Sequence, residues 1–218
     1  VTVTDVNDAP VITSDGGMDT AAINAVENQT SVTTVTAMDE DADTLSFSIT
    51  DGADQDDFAL NSQQVTLSGA TGGDFLLTFA GLQTLPISYD VSAGDLRAFL
   101  VNLGNVNAED IVVTGDNGGP WNVVFQGQFA SMQTPTMTAD PAGLVGAAPD
   151  VAVATTGVLT FRNAPDFDVK AEYVVEVTVS DNVSLTDAQT ITVTVTDDND
   201  LPVITSDGGS DTATVNPE

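Results

Sequence analysis

The chain has 218 residues, with 33 acidic side chains against three basic ones, Arg97, Arg162 and Lys170, and a formal net charge of −30. That imbalance opposes binding to nucleic acid or to an anionic membrane surface and makes cations the expected partners. With neither cysteine nor histidine, the chain cannot build disulfides, thiolate or imidazole metal sites, or Ser-His and Cys-His catalytic pairs; oxygen ligands remain, and these suit calcium.

A hydrophobic fraction of 41% is enough for one or two packed cores and too high for an acidic disordered tail. No apolar run approaches the roughly 20 residues that span a membrane, and no signal peptide is visible. In chain order, short strands are expected over residues 10–14 and 31–37. A third follows where Leu45, Phe47 and Ile49 alternate with Thr44, Ser46, Ser48 and Thr50, the period-2 pattern of a strand buried on one face. Residues 58–61 read as a fourth.

The central stretch, residues 63–157, differs. Strands are expected at 65–68, 75–79, 87–89, 111–114 and 121–125, with one helix from Ala93 to about Leu103. Ser92 caps that helix with Asp95 three residues on, Leu96, Phe99, Leu100 and Leu103 form its apolar stripe, and Gly104 stops it. Trp121, Val123 and Phe125 share one face of a strand, which favours a core position for Trp121 over a sugar-stacking platform. This stretch carries a net charge of only −7 and the remainder −23. It reads as a small α+β domain inserted in a hairpin of the outer sequence, where neighbouring ends disturb the host least. Beyond it, strands are expected at 158–161, 173–179 and 191–195, giving about seven outer strands in all, as in a β-sandwich.

Residues 1–21 return at 193–213, identical at 18 of 21 positions, the exceptions being Val6/Asp198, Ala9/Leu201 and Met18/Ser210. An offset of 192 residues marks one unit of a head-to-tail array, whose ends lie at opposite poles. Spacing is then the default function, and neighbouring repeats of the same chain are the expected partners.

The acids cluster where strands end: Asp39, Glu40, Asp41 and Asp43 before one strand, Asp166 and Asp168 before another, and Asp5, Asn7 and Asp8 or Asp197, Asp198, Asn199 and Asp200 after the last strand of each repeat. Carboxylates so close repel unless a cation sits among them. An EF-hand fails, since counting from Asp39 puts Thr44 where glycine is required and Thr50 where the bidentate glutamate belongs. Paired carboxylates also serve glycosidases, but these lie at junctions rather than in a cleft, and the chain is expected not to be an enzyme.

The segments AVENQT, AMDEDADTLSFSI, APDFD and VTVSD and the linkers TDVNDAP and TDDNDLP resemble cadherin repeats, in particular the cadherin-like repeats of large, type I-secreted (RTX) bacterial surface adhesins. The resemblance covers about 120 residues. It implies a mainly β fold: a seven-stranded Greek-key sandwich over 10–62 and 158–200, split by the insert at 63–157, with 1–9 ending the preceding repeat and 201–218 starting the next. It also implies calcium. By position, Glu27, Asp166, Asp168, Asp197 and Asp200 would form the C-terminal site, with Asp198 offering a backbone carbonyl. Asn7, Asp39, Asp41 and Asp181 would form this repeat's share of the N-terminal one. Ala9 and Leu201 stand where the family has a second asparagine, a contact often made by backbone oxygen. The implied function is a calcium-rigidified extender at the bacterial cell surface, extracellular and without membrane insertion. The alternative is that the insert, similar to a module of repetitive bacterial surface proteins through LSGATGGDFLLTF and NGGPWNVVFQG, binds a peptide, sugar or protein.

Overall fold

The computed structural model describes residues 6–199 apart from Ser131 and Asn182. The chain packs around two hydrophobic cores that share no residue. The first is a split, seven-stranded β-sandwich. Its four-stranded sheet runs in the order Thr20–Val26, Thr186–Thr196, Glu172–Ser180, Ser46–Asp51, and its three-stranded sheet in the order Ser31–Thr34, Val158–Phe161, Phe58–Leu60. Strict alternation explains the long strands: Tyr173, Val175, Val177 and Val179 are buried, as are Ile191, Val193 and Val195, while their neighbours face outward. Phe58 and Phe161 stack at 4.7 Å, and Tyr173 meets both edge-on.

Three expectations are corrected. Residues 10–14 form only a two-residue strand, Val11–Ile12, paired with Ala37–Met38. The expected strand at 31–37 is broken at Val35 and Thr36, where the chain leaves its partner Val158–Phe161 for Val11–Ile12. The seventh sandwich strand is instead Thr20–Val26, parallel to Thr186–Thr196.

The second core belongs to the central stretch. Its spine is one continuous strand, Ser62–Phe79, where two strands were expected from the glycine run after Ser68. Those glycines bend the strand rather than end it. Gly69 (φ +62) and Gly146 (φ +157) meet at the register shift where Ser62–Phe79 pairs with Leu144–Thr155, and a Cβ on Gly146 would lie 1.9 Å from the Gly69 carbonyl oxygen, so only glycine fits at 146. Ile111–Thr114 and Trp121–Phe125 extend the sheet. The helix Ala93–Val101 covers it, with the Ser92 hydroxyl accepting the Asp95 N–H at 3.1 Å; it ends two residues earlier than expected, passing through a tight turn to Gly104 (φ +83). Trp121 is fully buried and stacks on Phe75 at 5.9 Å, a core residue.

The insert leaves and re-enters the sandwich side by side, since Gln63 pairs with Thr155. Side-chain amides then act as a substitute ladder. Leu60 exchanges two bonds with the Gln133 amide (3.1 and 3.2 Å), Asn61 accepts from Thr134 N–H and donates to the Phe129 carbonyl, and Gln63 accepts from Met137 N–H and donates to the Pro135 carbonyl.

Replacing Phe75 by alanine opens a cavity beside Trp121 and is expected to cost about 3–5 kcal/mol; because Trp121 is the single tryptophan, its emission during urea unfolding reads that loss directly. A second test concerns Asp110. The N–H of Gln128 first, then the N–H and amide of Asn107, hold its buried carboxyl below the ordinary 3.8, against desolvation. A depressed native pKa gives stability that is present above pH 3.8 and lost as pH falls through the lower native value. Asp110→Asn is therefore expected to melt earlier at pH 7, with the gap to the unaltered chain closing below pH 3.8.

Candidate metal-binding poles

Strand pairing sorts the acids into two groups. Ser180 pairs with Thr186 and with Ser46, so Asp181 and the loop 39–45 lie at one end of the four-stranded sheet. Glu172 pairs with Thr194, and Thr196 with Val26, so Glu27, Asp166, Asp168 and Asp197 lie at the other. The strand between, Thr186–Thr196, has 11 residues, which separates the ends by roughly 35 Å.

At the N-terminal end the loop 39–43 winds around one carboxylate. Asp39 Oδ1 accepts the N–H of Asp41 at 2.9 Å and of Asp43 at 3.2 Å, and Ala42 takes a positive φ of 59° to close the turn. Asp39 Oδ2 is left buried without a hydrogen-bond partner. Asp181 is buried, its Oδ1 accepting the N–H of Val183 and Leu185 and its Oδ2 the Asn7 amide at 2.9 Å. Carboxylate oxygens of Asp39, Asp43 and Asp181 lie within 4.8 Å of one another. Burial, then the charges of Asp39, Asp181 and Asp41, push the Asp43 carboxyl above its ordinary range. Desolvation works the same way on Asp181 but is outweighed by Asn7 and the backbone donors, so its carboxyl is held low. The three cationic side chains are engaged elsewhere: Arg97 on the carbonyls of Ala108 and Ile111, Arg162 on that of Phe58, and Lys170 on Asp54 and Asp57. Converging carboxylates with an unpartnered buried oxygen and no lysine or arginine among them fit a hard cation such as calcium.

Of the expected N-terminal set, the structure brings Asp39 and Asp181 together and ties Asn7 to them. Asp41 is not one of the three converging acids; its Oδ2 accepts the Asp8 N–H at 2.7 Å and so ties the loop to the linker. Ala9 is exposed and lines a hollow with Asp8 and Asp39. Asp43, absent from the expected set, completes the trio; the window DEDAD carried the signal, but the turn at Ala42 decides which of its acids face inward.

The C-terminal end is organised around Glu27, 2% exposed. Its Oε2 accepts the Phe167 N–H at 2.9 Å and its Oε1 the Asp198 N–H at 2.7 Å. Those two bonds, the first the stronger influence, hold its carboxyl low against desolvation, with Asp197 assisting by a side-chain hydrogen bond. Asp166 Oδ1 accepts the Asp168 N–H at 2.9 Å. Glu27 thus joins the 166–168 loop to the outgoing linker. Among the described residues no acidic trio comparable to that of the other pole forms here, and Asp200 lies outside the described residues. Apart from the poles, the insert has an open hollow of about 590 Å³ lined by Asp74, Asp90, Asp95 and Phe99.

No family model matches the chain. A tail sheath protein of Mycobacterium phage Bxz1 is 35% identical over 109 residues, covering 48% of this chain and 18% of that protein. Among solved structures, a chain from Mycobacterium phage Patience aligns at 23% identity over 52% of this chain and 48% of its own, with a TM-score of 0.32. The extracellular cadherin domains 1–4 of protocadherin gamma B7 align at 16% identity over 89% of this chain and 25% of theirs, with a TM-score of 0.30.

Glu27→Gln turns one acceptor into a donor facing a backbone N–H. Hydrogen exchange at Phe167 and Asp198 is expected to accelerate about tenfold, while exchange within Glu172–Ser180 stays unchanged.

Proposed function

We propose that the chain is a calcium-rigidified extender repeat of a large bacterial cell-surface adhesin of the RTX kind, holding distal binding domains away from the cell. The observation that carries this reading is the convergence of Asp39, Asp43 and Asp181 around an unpartnered buried oxygen, at the end opposite Glu27, in a chain whose first 21 residues return 192 positions later. Without calcium, the charge of −23 on the sandwich sequence makes adjoining ends repel and the junction flex. With calcium, each junction gains shared oxygen ligands and the array stiffens. No step of this role requires a catalytic group.

The relative named as a tail sheath protein favours a second reading, in which the chain is a structural module of a phage particle and calcium is incidental. The hollow at Asp74, Asp90 and Asp95 supports a ligand role for the insert, and its acidic lining would select a cationic ligand; a pure spacer shows no saturable binding of a lysine-rich peptide.

Small-angle X-ray scattering of two consecutive repeats separates the first two readings. The maximum dimension is expected to rise with calcium and fall with chelator, and Asp166→Ala with Asp168→Ala to abolish the difference. A shape indifferent to calcium overturns the extender reading.

A further inference from the structure

The acids at the two ends of the sandwich are accompanied by apolar side chains that the fold leaves uncovered. At the C-terminal end the turn 166–170 is closed by the Asp166 carbonyl, which accepts the N–H of Val169 at 3.2 Å and of Lys170 at 3.0 Å, and the Phe167 N–H fastens it to Glu27. The turn leaves Phe167 37% and Val169 81% exposed. At the N-terminal end Val11 and Met38 lie opposite each other across their two-residue ladder, 56% and 68% exposed. The next residue, Ile12, donates its N–H to Asp187 at 2.8 Å, the second residue of Thr186–Thr196, which fixes the pair at that end. Val11 and Met38 line a hollow of about 460 Å³ with Asp8, Ala9, Asp39 and Glu40, so it opens beside the incoming linker. The repeat says what reaches it. Residues 197–202 alone separate the last sandwich strand from Val203 and Ile204, which repeat Val11 and Ile12. Six residues span at most roughly 20 Å, so the start of one unit is tethered close to Phe167 and Val169 of the unit before it, at the high effective concentration of a short linker.

We propose that successive repeats close on an apolar contact, in which Phe167 and Val169 of one repeat seat against Val11 and Met38 of the next. This rests on the reading of the chain as one unit of a head-to-tail array and not on the identity of any ion. The aromatic ring supplies the area to be buried, and the flexible thioether of Met38 fits itself to the ring. Acids flank both halves, Asp166 and Asp168 on one side and Asp8, Asp39 and Glu40 on the other, so like charge opposes the approach until a cation or added salt screens it. Screening lets the ends meet, and burial of the four apolar side chains fixes how they meet.

The test uses two copies of the repeat joined at the 192-residue offset, in about 1 M sodium chloride with chelator, where a Debye length of about 3 Å screens the acids without calcium. Methionine oxidation by hydrogen peroxide, read by peptide mass spectrometry, reports exposure. In the single repeat Met38 is expected to oxidise in one fast phase. In the two-repeat chain half of the Met38, that of the second copy, is expected to react about fivefold more slowly, while Met132 of the insert, 46% exposed, keeps one rate. Phe167→Ser with Val169→Ser in the first copy is expected to return all Met38 to the fast phase. Val169→Ser alone, at a position too open to unsettle the fold, is expected to raise the slow rate part of the way. A single fast phase for Met38 in the two-repeat chain overturns the contact and leaves the calcium reading to the scattering experiment. A slow phase that survives the double substitution overturns the assignment of Phe167 and Val169. A slow phase removed by it, in an array whose shape ignores calcium, keeps the apolar junction and removes the ion.

Discussion

The registry of three strands governs everything else in this molecule. Thr20–Val26 lies parallel to Thr186–Thr196, and Glu172–Ser180 returns antiparallel to it. The parallel pairing delivers Glu27 and Asp197 to one end although they are far apart in sequence. The antiparallel return sends Asp181 to the opposite end from Asp166. A slip of one residue would turn Val175, Val177, Ile191 and Val193 out of the core and would also dissolve both acidic groupings. Core and poles are therefore specified by the same ladder, and neither can drift without the other.

That ladder also decides where charge can go. The core-facing strand positions named above are apolar, the acids gather in loops at strand ends, and the scarce cations are tied to groups of the chain's own. Arg162 reaches the Phe58 carbonyl beside the aromatic cluster, and Lys170 sits 4.3 Å over the Tyr173 ring while pairing with Asp54. None of these cations lies among Asp39, Asp43 and Asp181. At the insert's attachment neutral amides add to the strand pairing: Gln133 bonds the backbone of Leu60, Asn61 that of Phe129 and Thr134, and Gln63 that of Pro135 and Met137 within the insert.

What could be read in the sequence was what leaves a strong periodic or local trace. The helix was marked by Ser92 and Asp95 at its start, and Trp121 by its alternating neighbours Val123 and Phe125. Thr20–Val26 left little trace because its inward residues are Ala21, Ile23 and Ala25; two alanines bury little area and blur the alternation, and the strand is defined by its parallel partner rather than by its own pattern. The long strand Ser62–Phe79 was obscured because a glycine run signals a break unless a partner backbone is known to cross there. For the poles, spacing identified which segments carry acids, but a spacing of two assumes an extended loop. Ala42 turns with a positive φ, and Asp43 lies with Asp39 and Asp181, a grouping that depends on backbone conformation and not on spacing alone.

The two poles are chemically unequal. At one of them the N–H groups of Phe167 and Asp198 hold the Glu27 carboxyl low. The N-terminal end has an acceptor with nothing to accept from, Asp39 Oδ2, and a carboxyl, Asp43, pushed upward by burial and by its neighbours. Removing a stabilising cation acts hardest where the remaining charge–charge interactions are repulsive. On the proposed reading, each junction pairs an end organised by the hydrogen bonds of Glu27 with one whose carboxylates crowd together, and both ends contribute oxygen ligands to the shared cation.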